Sequence, residues 1–215
     1  MSCYRDPGSA HVWNIEVANP SEVNSAIEYY CEVGDIQDDV LRPQLSLLAS
    51  LISEPAFNVL RTKEQLGYIV FALPRASTGT MGMRFLIQSE KDTVYLETRV
   101  EAFFDYMKEF LDNLSEEEYE KHKAGVIHKK LEKPKNLHGE SSRFWTAVED
   151  GYYDFERRKS GRPVFVIYGQ IPNHDLVSLQ NRFQRRRVHQ RHSQAGHHRP
   201  LHVPRPLQLA DQEKA

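Results

Sequence analysis

Between residues 68 and 88 two apolar runs are joined by a short polar link, and this arrangement constrains the fold more than any other part of the chain. Tyr68-Ile-Val-Phe-Ala-Leu73 is apolar throughout and reads as a central strand covered on both faces. Met81, Met83, Phe85 and Ile87 then alternate with Gly82, Arg84 and Gln88, the period-two pattern of a second strand. Pro74 to Thr80, with Gly79 inside it, joins the two as a hairpin loop. The pair is therefore antiparallel.

Helices flank that hairpin. Upstream, Ile27, Tyr29, Cys31 and Val33 face one way and Glu28 and Glu32 the other, which predicts a half-buried strand from Val23 to Val33. Gly34 to Asp39 reads as a turn, with Asp38 or Asp39 placed to cap the helix that follows. Leu41, Leu45, Leu48, Leu51 and Ile52 recur at helical spacing, and Pro43 sits in the tolerated first turn. Pro55 is expected to interrupt this helix, and Phe57, Leu60 and Lys63 to continue a second piece up to the stop at Gly67.

Downstream, Leu96, Val100, Phe103, Phe104, Met107 and Leu111 form one apolar stripe of a long helix. Ser115 and Glu118 form a capping box for the next, with Leu114 placed to staple onto Tyr119; that helix runs towards Leu131 and stops near Pro134. A last helix carries Leu137, Phe144, Trp145 and Val148 and ends at Gly151. Strand, two helices, two strands and three helices make an α+β domain: an antiparallel sheet with helices packed on one face.

The charge is split along the chain. Up to Phe155 there are 16 basic and 26 acidic residues, a net of −10. From Glu156 onward there are 12 basic and 4 acidic residues, a net of +8, and the two sum to the overall −2. Beyond about Lys159, Val164 to Tyr168 reads as a short strand, but nothing after it is periodic. The Arg/His/Gln-rich run from Arg182 and the prolines at 200, 204 and 206 predict disorder. Residues 11–158 are thus expected to form the domain and residues 159–215 a basic, disordered tail.

Several function classes fall away. No apolar run approaches the roughly 20 residues of a membrane span. The N-terminus has no apolar core of a secretory signal, and Cys3 and Cys31 alone cannot make a disulfide framework or a four-thiolate metal site. A reducing, cytoplasmic setting is the simplest reading. The tail's basic residues suit phosphates, yet Phe183 is the lone aromatic in the Arg/His-rich run from Arg182, which therefore offers no base-stacking ladder and argues against nucleic acid. Its histidines, at 189, 192, 197, 198 and 202, have no rigid element to hold a metal.

Within the domain neither HExxH nor HxxEH occurs, nor GxSxG, a P-loop or GxGxxG. His122 and His128 are six residues apart on one helix, roughly on opposite faces, and cannot share one ion. Cys31 lies on the apolar face of its strand as an inert core thiol. No catalytic constellation and no metal site is legible. The distinctive segment is Phe57-Asn-Val-Leu-Arg61-Thr-Lys-Glu-Gln-Leu-Gly67-Tyr68, where a polar helical turn runs through a glycine into a strand. Arg61 and Tyr68 sit on either side of that junction. Converging, they would offer hydrogen-bond donors for a peptide carbonyl or a developing oxyanion. The plainer alternative is that Arg61 favours the helix C-terminal dipole and Tyr68 is an ordinary strand aromatic.

The same segment, with SAIEYY upstream, RFLIQSEK downstream and Tyr152-Tyr-Asp-Phe155 further on, resembles the C-terminal region of the insulysin/pitrilysin metallopeptidases, or inverzincins. The likeness spans roughly residues 11 to 158. It implies the fourth of four homologous α+β domains, which form two bowl-shaped halves around a chamber, with the zinc ligands and glutamate base in the first domain. By position, Arg61 and Tyr68 would bind substrate, holding the scissile carbonyl across the chamber. The resemblance thus implies a catalytically silent domain of a peptide-degrading zinc metalloendopeptidase. Zinc would be a cofactor of the full-length enzyme and not of this chain. Expected partners are a peptide and either an N-terminal zinc-bearing half or a second copy; the competing reading is a non-enzymatic peptide-binding module. The family's closing helix and strand are expected to be replaced by the tail, which would leave the sheet incomplete with an exposed edge. A composition break at that point also fits a shift of reading frame.

Overall fold

The computed structural model describes residues 10–77, 79–149, 151, 153, 155, 171–183 and 187–193. In chain order these hold β1 (Ala10–Glu16), β2 (Ser25–Asp35), α1 (Leu41–Ala56), a π-helical segment (Phe57–Lys63), β3 (Ile69–Ser77), β4 (Thr80–Ser89), α2 (Thr93–Asp112), α3 (Glu116–Leu131), α4 (Leu137–Glu149), α5 (Asn173–Phe183) and β5 (Arg187–Ser193). The strands form one sheet in the order β1-β5-β2-β4-β3. The expected α+β architecture is present. β3 pairs antiparallel with β4, and β2 antiparallel with β4 and β5. β1 runs parallel to β5, so the sheet carries one parallel pair.

Period-two patterning sends Ile27, Tyr29, Cys31 and Val33 of β2 and Met81, Met83, Phe85 and Ile87 of β4 to one buried face. The α2 stripe meets them there. Phe85 sets its ring against Phe103 and Phe104 at 6.0 and 5.2 Å between centroids, and Tyr29 meets Phe104 edge-on at 5.5 Å. Each such buried side chain stabilises the fold by roughly 1.5–3 kcal/mol. Helix ends follow the local chemistry. The Asp38 carboxylate accepts from the Val40 and Leu41 N–H groups at 2.9 Å, and the Ser115–Glu118 capping box is formed on both sides.

Four expectations require correction. First, Pro55 does not interrupt the helix: α1 runs on through it to Ala56 and passes directly into the π-helical segment. Proline leaves the carbonyl four residues back without its usual donor, and here the chain widens its winding instead of breaking. Second, β3 is an edge strand and not a doubly covered one. Val70 and Ala72 are buried, but Phe71 and Leu73 remain 51% and 44% exposed.

Third, residues 171–183 and 187–193, within the stretch expected to be a disordered tail, join the body of the fold. Leu176 and Leu179 of α5 are fully buried in the core. Tyr119 donates to the Ile171 carbonyl at 2.6 Å, and Gln44 Nε2 to Asp175 at 2.9 Å. Fourth, the sheet is not left open on the β2 side, because β5 inserts between β1 and β2. The short strand read at Val164 to Tyr168 and the proline-rich end lie outside the described residues. α4 forms as expected and stops at Gly151 (φ 74°), but its stripe stays exposed at Leu137 and Trp145.

Candidate functional site

The chain from α1 to β3 changes winding twice within a dozen residues, and this places the two candidate side chains. In the π-helical segment the Glu64 N–H reaches the Val59 carbonyl at 2.9 Å, and the Leu66 N–H reaches the Leu60 carbonyl at 3.1 Å. Leu60 and Leu66 are buried and anchor both ends of this turn. Gln65 then takes a left-handed conformation, φ 51°, which reverses the path towards β3.

Gly67 follows for a steric reason. A Cβ there would lie 1.9 Å from the Gln88 carbonyl oxygen of β4, so no larger residue fits without moving backbone. The glycine expected as a helix stop serves instead to let the turn press against the neighbouring strand. Glu64 is clamped from outside by Arg99 of α2 through two charge-assisted hydrogen bonds, Nε to Oε2 at 2.7 Å and Nη2 to Oε1 at 2.6 Å.

Arg61 and Tyr68 do converge. The Arg61 Cζ lies 4.9 Å from the centroid of the Tyr68 ring and 4.8 Å from that of Phe57. The guanidinium thus lies within cation–π reach of both aromatic rings. No carboxylate among the described residues pairs with it. Tyr68 is 84% exposed and Phe57 43% exposed, so the cluster opens to solvent.

The sequence reading missed two members of this arrangement. Phe57 was legible as a helical residue, and its four-residue spacing from Arg61 is the signal that would place both on one side of a helical turn. Arg99 carried no such signal, since it lies 35 residues from Glu64. His122 is partly buried and His128 exposed on α3. Among the described residues no group of three His, Cys, Asp or Glu side chains is placed to hold a metal ion. Among the described residues there is thus no donor set that fits zinc. His189 and His192 fall in β5; the tail histidines at 197, 198 and 202 lie outside the described residues. No helix among the described residues is long and apolar enough to cross a membrane.

Residues 47–145 match the family model described as PQQ synthase PqqF-like, C-terminal lobe domain 4. The human insulin-degrading enzyme is 45% identical over 134 residues, covering 62% of this chain and 13% of the relative. The Saccharomyces cerevisiae A-factor-processing enzyme is 38% identical over 152 residues, covering 71% of this chain and 15% of the relative. The crystal structure of pitrilysin superposes with a TM-score of 0.74 at 24% identity, over 93% of this chain and 21% of that one, a likeness of fold. The chain spans only about one seventh of the length of these two curated relatives. The matched segment, the shared fold and the identities together place the chain in the insulysin/pitrilysin family of zinc metallopeptidases, where it is homologous to the C-terminal part of its members.

Proposed function

We propose that this chain is the catalytically silent C-terminal domain of a peptide-degrading zinc metalloendopeptidase, and that it contributes substrate-binding residues. The observation that carries this reading is the Arg61 guanidinium within cation–π reach of both Phe57 and Tyr68 at an exposed junction. The Arg61 N–H groups and the Tyr68 phenol donate to a substrate peptide carbonyl, and stronger donation to the oxyanion that develops from it favours the transition state. The metal and the water it activates belong to another part of the enzyme, either an N-terminal half of the same protein or a separately made one. The buried Cys31 thiol, in no disulfide among the described residues, fits a reducing, cytoplasmic setting.

The test is hydrolysis of a quenched fluorogenic peptide by the purified chain with added zinc. A second arm adds the zinc-bearing half of a family member. Turnover only in the second arm, lowered by Arg61→Ala and by Tyr68→Phe, is expected. Zinc-dependent turnover by the chain alone would refute catalytic silence. Peptide binding with no turnover in either arm would favour a non-enzymatic peptide-binding module.

A further inference from the structure

At the end of α2 farther from Arg99, the turn into α3 forms an open cavity of about 270 Å³ lined by Tyr106, Glu109, Phe110, Asn113, Leu114 and Glu118. None of these residues belongs to the Arg61–Tyr68 junction. Two helix ends fix its walls. The Asn113 N–H and side-chain amide both donate to the Glu109 carbonyl, at 3.1 and 2.8 Å, and close the last turn of α2. The Ser115 hydroxyl accepts from the Glu118 N–H at 3.3 Å and donates to the Glu118 carboxylate at 2.9 Å, which starts α3. Leu114, between the two caps, packs against the core.

The cavity joins two kinds of surface. Tyr106 and Phe110 lie one helical turn apart and are partly buried; their rings stack with centroids 6.5 Å apart and planes 23° from parallel. Together they make an aromatic wall, and the face of an aromatic ring attracts positive charge. Glu109 and Glu118, both exposed, add a carboxylate each. From Asp105 to Glu118 there are six acidic residues and one basic, a net of −5, so the surroundings also draw cations.

The kind of cation follows from what the lining offers. A hard metal ion needs several converging oxygen ligands, and among the described residues no group of three His, Cys, Asp or Glu side chains is placed to supply them. A primary ammonium brings three N–H donors, whereas the Glu118 carboxylate is already engaged by the Ser115 hydroxyl. A quaternary ammonium has no donors to satisfy. Its charge is spread over methyl groups that suit aromatic faces and Leu114.

We propose that this cavity binds a quaternary ammonium group, with its methyl groups against Tyr106, Phe110 and Leu114 and its charge balanced by Glu109 and Glu118. A free amine of the choline type and a trimethylated lysine in a peptide both carry this group.

The experiment titrates the full chain with choline, followed by amide chemical shifts. Binding with a dissociation constant on the order of 1 mM is expected, with the shifts centred on residues 106–118. The uncharged isostere of choline, in which carbon replaces nitrogen, and ethanolamine, its primary-amine counterpart, are each expected to bind about tenfold more weakly. Tyr106→Leu should weaken choline binding about tenfold. Glu109→Gln, at an exposed position that leaves the fold intact, should weaken it about threefold. A parallel titration with acetyl-trimethyllysine amide separates the two sources: the tighter ligand of the pair names the one the cavity fits. Equal binding of the isostere would make the cavity a plain apolar hollow and overturn the proposal. Ethanolamine binding as tightly as choline would reduce it to attraction by surface acids, with the same result. Choline binding unaltered by both substitutions, or no binding of either quaternary ligand, also overturns it.

Discussion

Glu64 and Arg99, 35 residues apart in sequence, are joined by two parallel hydrogen bonds of 2.6 and 2.7 Å, and the pair spans the turn that separates Arg61 from Tyr68. Both side chains are about one-fifth exposed, so water screens the pair only partly. The bidentate contact raises the Arg99 pKa above its ordinary value, chiefly through the hydrogen bonds to Glu64. The candidate site is therefore held from α2, an element that carries neither Arg61 nor the two rings beside it.

Removing that clamp is expected to cost stability and binding together. Glu64→Gln breaks the charge-assisted pair and is expected to destabilise the fold by about 1–2 kcal/mol, read from denaturant midpoints. Arg99→Lys keeps the charge but loses the fork, and is expected to recover only part of that loss. A double-mutant cycle with no coupling between the two positions would show that the clamp contributes nothing.

Gly67 is the most sterically constrained position at the site. Gly67→Ala introduces a methyl group where the Gln88 carbonyl oxygen lies 1.9 Å away. The expected cost is about 1–3 kcal/mol, as for other overpacked positions. Peptide affinity should fall as well, because the turn carrying Tyr68 has to withdraw from β4. Unchanged thermal stability in the variant would refute the close approach.

The burial of α5 is tested by Leu176→Ala. Leu176 is 0% exposed, and truncation in a packed core costs about 2–5 kcal/mol. A basic tail without structure would give no change. Calorimetry or urea titration of the variant against the parent chain distinguishes the two outcomes.

Alkaline pH should loosen the same region. Burial pushes the Tyr30 phenol up to about 12 and raises Tyr119 in the same direction. A folded-state value above the unfolded one means the stabilising contribution is complete below about pH 10 and is lost as pH rises through the folded value. Stability should therefore decline between about pH 10 and 12, with tyrosinate absorbance appearing as the chain unfolds. Tyr119→Phe should shift this decline upward in pH while lowering stability near neutrality, because it removes the hydrogen bond to the Ile171 carbonyl.

Sequence alone determined the elements whose cause is local. Alternation in β2 and β4, the α2 stripe and the Ser115–Glu118 capping box each lie within a few turns or rungs of chain, and each formed where the pattern put it. The sequence marked Arg61 and Tyr68 as flanking one junction and left both readings of them open; that the two side chains meet comes from the turn between them. Tertiary structure decided the rest. The apolar string 68–73 looked doubly covered, yet sheet order leaves β3 at an edge, and no local pattern encodes strand order. Segments 171–183 and 187–193 have weak local signals, and their places come from long-range partners: a tyrosine on α3, a glutamine on α1 and two strands of the sheet. Glu64 and Arg99 met for the same reason, since a contact across 35 residues depends on how helices pack and leaves no trace in the spacing of either segment.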